Sequence, residues 1–134
     1  MRIQHEAAVQ KQIVEYIRAV LPKAIVAAIP NGSQRTASGR PANAVAGLLP
    51  GMPDLVVVLP EGKVLWAEIK SEKGRVSPAQ LNVHGELNAL GHVCVVLRSV
   101  EDTRAAFKHL NIKTRESGEN DVWTKNSIVD TTDC

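Results

Sequence analysis

Two carboxylates and an ammonium, Asp54, Glu68 and Lys70, fall at the ends of two short apolar runs joined by a turn. Asp54 stands in Gly51-Met52-Pro53-Asp54-Leu55, and the other two in Glu68-Ile69-Lys70. Cutting a phosphodiester needs a hard cation with oxygen ligands, a nucleophilic water, and charge to offset the phosphate. Asp54 and Glu68 supply ligand oxygens, and the carbonyl of Ile69 is placed to add one. Lys70 can orient the water or offset developing negative charge. The set reads as a phosphodiester-cleaving centre that takes Mg²⁺ or Mn²⁺.

The elements around these residues must place them on one side of a sheet. Residues 54–59 and 64–70 are β-branched runs separated by Pro60-Glu61-Gly62-Lys63, the pattern of a β-hairpin. Strand side chains alternate faces, so Glu68 and Lys70 project together while Leu65, Ala67 and Ile69 go to the packed side. A four-residue turn pairs Leu59 with Val64 and sets Asp54 opposite Ile69, within reach of both charged neighbours. Pro53 lacks an amide proton, which marks a bend or strand start before Asp54.

A Glu-x-Lys pair alone is a common solvated feature of exposed strands, so a further acid matters. Residues 4–21 carry Val9, Ile13, Tyr16, Ile17 and Val20 at helical spacing, and Glu6 falls on that same stripe. Such a carboxylate either answers the helix dipole or lines the metal site as a supporting acid.

Pro22 ends this helix, and residues 24–29 form a short strand closed by Pro30-Asn31-Gly32. Residues 31–50, rich in Gly, Ser, Asn and Arg, read as a surface insertion with a short helix over 42–49. Ser77-Pro78-Ala79-Gln80 opens a helix with Ser77 as N-cap and Gln80 at the capping-box position. Gly91 stops it, residues 92–98 form a buried strand, and Ser99 caps a last helix reaching about Leu110. The order α-β-β-β-α-β-α predicts an α/β fold, a mixed sheet flanked by helices. Residues 1–110 form the domain. Residues 111–134 are a polar tail that is either mobile or packed on the core or a partner subunit.

Taken together, Glu6, Pro30-Asn31-Gly32, Gly51-Met52-Pro53-Asp54, Glu68-Ile69-Lys70, Ser77-Pro78-Ala79-Gln80 and Gly91-His92 before a Val-rich strand resemble a VRR-NUC domain. That family is a branch of the PD-(D/E)xK nucleases, with a restriction-endonuclease-like core. The resemblance runs from about Glu6 to Leu110. It implies a metal-dependent nuclease with Asp54, Glu68 and Lys70 as the catalytic core, Glu6 as a supporting acid and Gln80 as an active-site polar residue. Capping and catalysis compete for Gln80, because one side chain is not expected to serve both. Stand-alone members are similar to Holliday-junction resolvases and tend to be homodimers, and at this length the stand-alone form is expected. A phage or prophage gene suits such a compact nuclease by analogy.

Composition is consistent with these expectations. The 134 residues are 44% hydrophobic, enough for one globular domain with a real core. Aromatics at 3% argue against single-strand binding by base stacking. Sixteen basic against 14 acidic residues give a net charge of +2, so clustering matters more than the total. The candidate DNA contacts are Asn31, Arg35 and Arg40 in the long insertion, and Lys73 and Arg75 after the charged strand. The two cysteines suggest neither a disulfide framework nor a zinc site, and no apolar run is membrane-spanning, so a cytoplasmic protein is expected. His5, His84, His92 and His109 lack metal-ligand spacing and read as structural or surface residues, with His5 alone near the site. Trp66 and Cys94 read as packing residues.

The expected activity is a metal-dependent endodeoxyribonuclease acting on branched DNA as a homodimer. Three rival substrates and two rival classes remain: a nuclease on flap, single-stranded or linear duplex DNA, a DNA-binding module that makes no cuts, or an oligomeric scaffold with accidental motifs.

Overall fold

The computed structural model describes residues 2–30 and 46–117. Seven elements follow in order: helix α1 (Arg2–Val20), strands β1 (Ile25–Ala28), β2 (Leu55–Val58) and β3 (Val64–Ile69), helix α2 (Pro78–Ala89), strand β4 (Val93–Leu97) and helix α3 (Val100–His109). They form a mixed four-stranded sheet in the order β1-β2-β3-β4, flanked by helices, as the sequence pattern predicts. Residues 46–49 are a turn and irregular chain rather than helix. The rest of the segment expected to be helical over 42–49 lies outside the described residues, as do Asn31, Arg35, Arg40 and residues 118–134.

β1, β2 and β3 pair antiparallel, whereas β3 and β4 run parallel, joined by a crossover through α2. Two layers of side chains result. Leu65, Ala67, Ile69 and Leu97 face α1 and α3, where Ile13, Ile17, Leu21 and Phe107 close a core without water access. The stripe read from the first helix thus becomes its buried face, with Val9 and Tyr16 at the margin. The other sheet face meets α2 through Val83 and Leu87. Covering both faces explains why β3, Glu68 included, is buried along most of its length.

The hairpin register corrects the expected one. Leu59 donates its N–H to the Lys63 carbonyl (2.8 Å), and Val58 pairs with Val64. The turn is therefore three residues, Pro60-Glu61-Gly62, with Glu61 and Gly62 at φ 69° and 76°. Two consecutive left-handed residues close the chain more tightly than a four-residue turn. The slip of one position moves Asp54 from Ile69 to the place opposite Glu68.

Beyond α3, Asn111 (φ 59°) reverses the chain and Ile112 packs against the core. Arg115 donates its N–H to the Val20 carbonyl (3.0 Å), and the Tyr16 hydroxyl donates to Glu116 (2.6 Å). Arg104 sits over the Tyr16 ring at 5.0 Å while bonding the same Glu116. Residues 111–117 therefore lie across the ends of α1 and α3.

Candidate active site

β3 delivers Glu68 and Lys70 to the end of the sheet where β2 begins. The backbone amides of successive strand residues point to opposite neighbours. Lys70 donates its N–H to the Leu97 carbonyl on the β4 side (3.1 Å). Ile69 points its N–H to the β2 side, just past the last β2–β3 pair. There the Asp54 side chain takes the place of a strand carbonyl, its Oδ2 accepting the Ile69 N–H at 2.7 Å. The Asp54 carbonyl accepts from Ile29 (2.8 Å), so its backbone is tied to the chain leaving β1. Asp54 is thus held from two sides, and its carboxylate lies within hydrogen-bonding reach of Glu68.

The segment before Asp54 is set by contact with α2. Gly51 has φ 95°, and a Cβ there would lie 2.6 Å from the Ala79 carbonyl oxygen and 3.0 Å from a Val83 methyl. Only a residue without a side chain can pass so close in that conformation. Pro53 follows, fully buried. Asp54 is thereby registered against the helix as well as the sheet.

α2 supplies two further groups, one of which sequence reasoning assigned elsewhere. Gln80 Oε1 accepts from the Ser77 N–H (2.8 Å) and the Ser77 hydroxyl accepts from the Gln80 N–H (3.1 Å), completing the capping box. At the same time Gln80 Nε2 donates to Glu68 Oε2 at 2.9 Å. The expected competition between capping and the site is resolved by chemistry, because a primary amide has an acceptor end and a donor end. One turn later on α2, His84 places Nε2 3.1 Å from Glu68 Oε1. His84 therefore lies against the candidate carboxylates and not remote from them. The i, i+4 spacing to Gln80 was the available signal. Among the other histidines, His92 accepts from Trp66 Nε1 (3.0 Å) near the start of β4.

Glu68 is completely buried and Lys70 nearly so. Burial, and next the Asp54 carboxylate beside it, push the Glu68 carboxyl up to about 9; Lys70 opposes this and Glu6 adds to it. Glu6, half-exposed on α1, thus lies near enough for its charge to be felt. His84 is shifted the other way: burial lowers its basicity and Lys70 lowers it further, against a raising effect of Asp54. A neutral imidazole can donate to that Glu68 oxygen from Nε2 or accept the carboxyl proton there, according to its tautomer.

This donor set suits a small hard cation. Two carboxylates crowded in a poorly solvated place are stabilised by a divalent ion more than by one lysine. Among the described residues no three His, Cys, Asp or Glu side chains gather into a complete ligand cage. An ion such as Mg²⁺ takes one or two carboxylates and completes its shell with water and substrate oxygens. Asp54 and Glu68 fit that role. Gln80 and His84 occupy one lone pair on each Glu68 oxygen and leave others for a metal. A cleft of about 350 Å³ at the far end of β3, lined by Leu59, Lys63, Val64, His92 and Ile112, is remote from this chemistry.

The family model of the VRR-NUC domain matches residues 1–101, a span that contains every one of these groups. The chain belongs to the VRR-NUC family. A solved structure described as a VRR_NUC domain superposes with a TM-score of 0.55 at 27% identity, over 78% of this chain and 96% of that one. A second, described as a VRR_NUC domain protein, gives a TM-score of 0.48 at 18% identity, over 77% and 84%. The p44 protein of Acyrthosiphon pisum secondary endosymbiont phage 1, provisionally named a nuclease, is 45% identical over 49 residues. That match takes in 37% of this VRR-NUC chain and 53% of p44, about half the relative's length. Lys73 and Arg75 are exposed on the loop between β3 and α2. Among the described residues, no helix is long and apolar enough to cross a membrane.

Proposed function

We propose that this VRR-NUC chain is a divalent-metal-dependent endodeoxyribonuclease whose site is Asp54, Glu68 and Lys70, supported by Gln80, His84 and Glu6. The observation that carries the proposal is the juxtaposition of Asp54 with a fully buried Glu68, whose two oxygens are engaged by Gln80 and His84. A carboxylate pair so placed is costly in an apoprotein and useful when a cation and a phosphate arrive. Asp54, Glu68 and the Ile69 carbonyl would hold Mg²⁺ or Mn²⁺. Bound there, the ion supplies charge neutralisation and a more acidic water.

The chain's own residues do the rest. Gln80 and His84 fix the plane of the Glu68 carboxylate, and the Ile69 N–H fixes that of Asp54. Lys70 presents its ammonium to the scissile phosphate and offsets charge developing on its oxygens. Lys73 and Arg75, with Asn31, Arg35 and Arg40 of the insertion, would contact flanking phosphates and position the duplex. Branched DNA is the proposed substrate, cut by a homodimer: a four-way junction carries two scissile strands related by an approximate two-fold, which a two-fold dimer matches.

The test is cleavage of a labelled four-way junction beside matched flap, duplex and single strand, with Mg²⁺, Mn²⁺ or EDTA. Paired symmetric nicks in the junction, lost with EDTA and in Asp54→Ala while DNA binding persists, are expected. Cutting of another substrate would retain the nuclease and replace the junction. Metal binding without cleavage of any DNA would leave a binding module. Normal cutting by Asp54→Ala would remove the site assignment.

A further inference from the structure

We infer that Arg98 is a positioning residue for Lys70, acting through the turn that follows β3. The inference deepens the nuclease reading and rests on it for its kinetic consequence. Arg98 follows the last residue of β4, outside the carboxylate cluster. Its Nη1 donates to the carbonyls of Ser71 (2.7 Å) and Gly74 (2.7 Å), with Glu72 at 3.3 Å. Three carbonyls converging on one nitrogen mean that the turn is wrapped around the cation. Gly74 closes the turn by donating its N–H to the Ser71 carbonyl (3.1 Å).

That turn lies against the Lys70 side chain. A Cβ on Gly74 would stand 3.5 Å from Lys70 Cδ and 3.2 Å from the Ser71 hydroxyl. Leu97 holds the backbone of Lys70 through the 3.1 Å bond already described, and the next residue, Arg98, holds the cover over its aliphatic stem. Arg98 is itself anchored. Its N–H donates to Asp102 Oδ2 (3.0 Å), and Asp102 donates to the Ser99 hydroxyl (3.0 Å) at the α3 N-cap. The end of β4 and the start of α3 therefore fix where the Lys70 ammonium can reach. Charged donors to carbonyls make stronger bonds than neutral ones, and Arg98→Lys would keep the charge while losing the length and planar geometry of the guanidinium. The same turn leads into Arg75 and the Ser77 cap, so its loss would also loosen the approach to α2.

A loop staple without functional consequence would move stability alone, so the test reads both geometry and rate. Arg98→Ala and Arg98→Lys are compared with wild type by amide exchange at Gly74, by NMR of the Lys70 methylenes, by melting temperature, and by single-turnover cleavage. DNA affinity is measured in an Asp54→Ala background. The expected result for Arg98→Ala is lost protection at Gly74, changed Lys70 signals and a cutting rate lower by roughly 10- to 100-fold, with a smaller change in affinity. Arg98→Lys should recover part of the rate, as should added guanidinium ion at constant ionic strength. Unchanged exchange and Lys70 signals would overturn the inference. So would an unchanged rate, or a loss that follows the unfolded fraction and is rescued by neither. If the wild type cuts no DNA, the nuclease reading fails, and Gly74 exchange with the Lys70 signals decides the structural claim.

Discussion

Gln80 performs two tasks with the two ends of one amide, and the two can be separated by substitution. Gln80→Glu keeps an oxygen to accept the Ser77 N–H and places negative charge in the first turn of α2, where the helix dipole favours it. It removes the donor that lies 2.9 Å from Glu68 and sets a third carboxylate there instead. A hydrogen bond to a charged group is worth about 1.5–3 kcal/mol, and about 1.4 kcal/mol corresponds to tenfold in rate. If the bond acts by holding Glu68 in its working orientation, cleavage should fall roughly 10- to 150-fold with the fold intact. Ser77→Ala does the opposite. It deletes the hydroxyl that accepts the Gln80 N–H, at a cost of about 1 kcal/mol in helix stability, and leaves the Gln80–Glu68 bond in place. The assay is single-turnover cleavage at saturating enzyme and Mg²⁺, with melting temperature measured on the same preparations. Wild-type cutting by a folded Gln80→Glu, or equal losses of rate in both variants, would refute the division of labour.

His84→Ala should leave one Glu68 oxygen without its partner, raising the Mg²⁺ concentration needed for half-maximal cutting; isothermal titration with Mn²⁺ checks the affinity directly. Gly51→Ala combines a left-handed φ with a Cβ 2.6 Å from the Ala79 carbonyl and should destabilise by about 1–3 kcal/mol in urea denaturation. The pH dependence has a definite sign: the folded Glu68 carboxyl lies above its ordinary value of 4.5, at about 9. The folded state therefore binds a proton that the unfolded chain has released, and metal-free stability is full below about 4.5 and lost as pH rises toward 9. Melting curves in EDTA across that range should show the decline in wild type and a flatter profile in Glu68→Gln. A wild-type profile that rises with pH would contradict the account.

Much of the scaffold was legible because it depends on near neighbours along the chain. Helical spacing from Val9 to Val20, strand alternation around Ala67, the capping box at Ser77 and the stop at Gly91 are all local, and each appears where its pattern stands. Asp54, Glu68 and Lys70 stood out as candidates for a chemical reason, since two carboxylates and an ammonium on one hairpin can together hold a cation and offset a phosphate. What the chain alone left open was decided by contacts between distant segments. The hairpin register turned on two left-handed residues, Glu61 and Gly62, and a slip of one place put Asp54 opposite Glu68. His84 joined the site only because the parallel β3-α2-β4 crossover lays α2 over the charged face of β3. Gln80 and His84 share a helix face by spacing, but nothing local says which strand that face meets. Arg98 is an ordinary strand-end cation in the sequence, and it becomes a clamp because β4 ends beside the turn after Lys70. Periodicity tells a chain which face to bury; only tertiary packing decides what that face will touch.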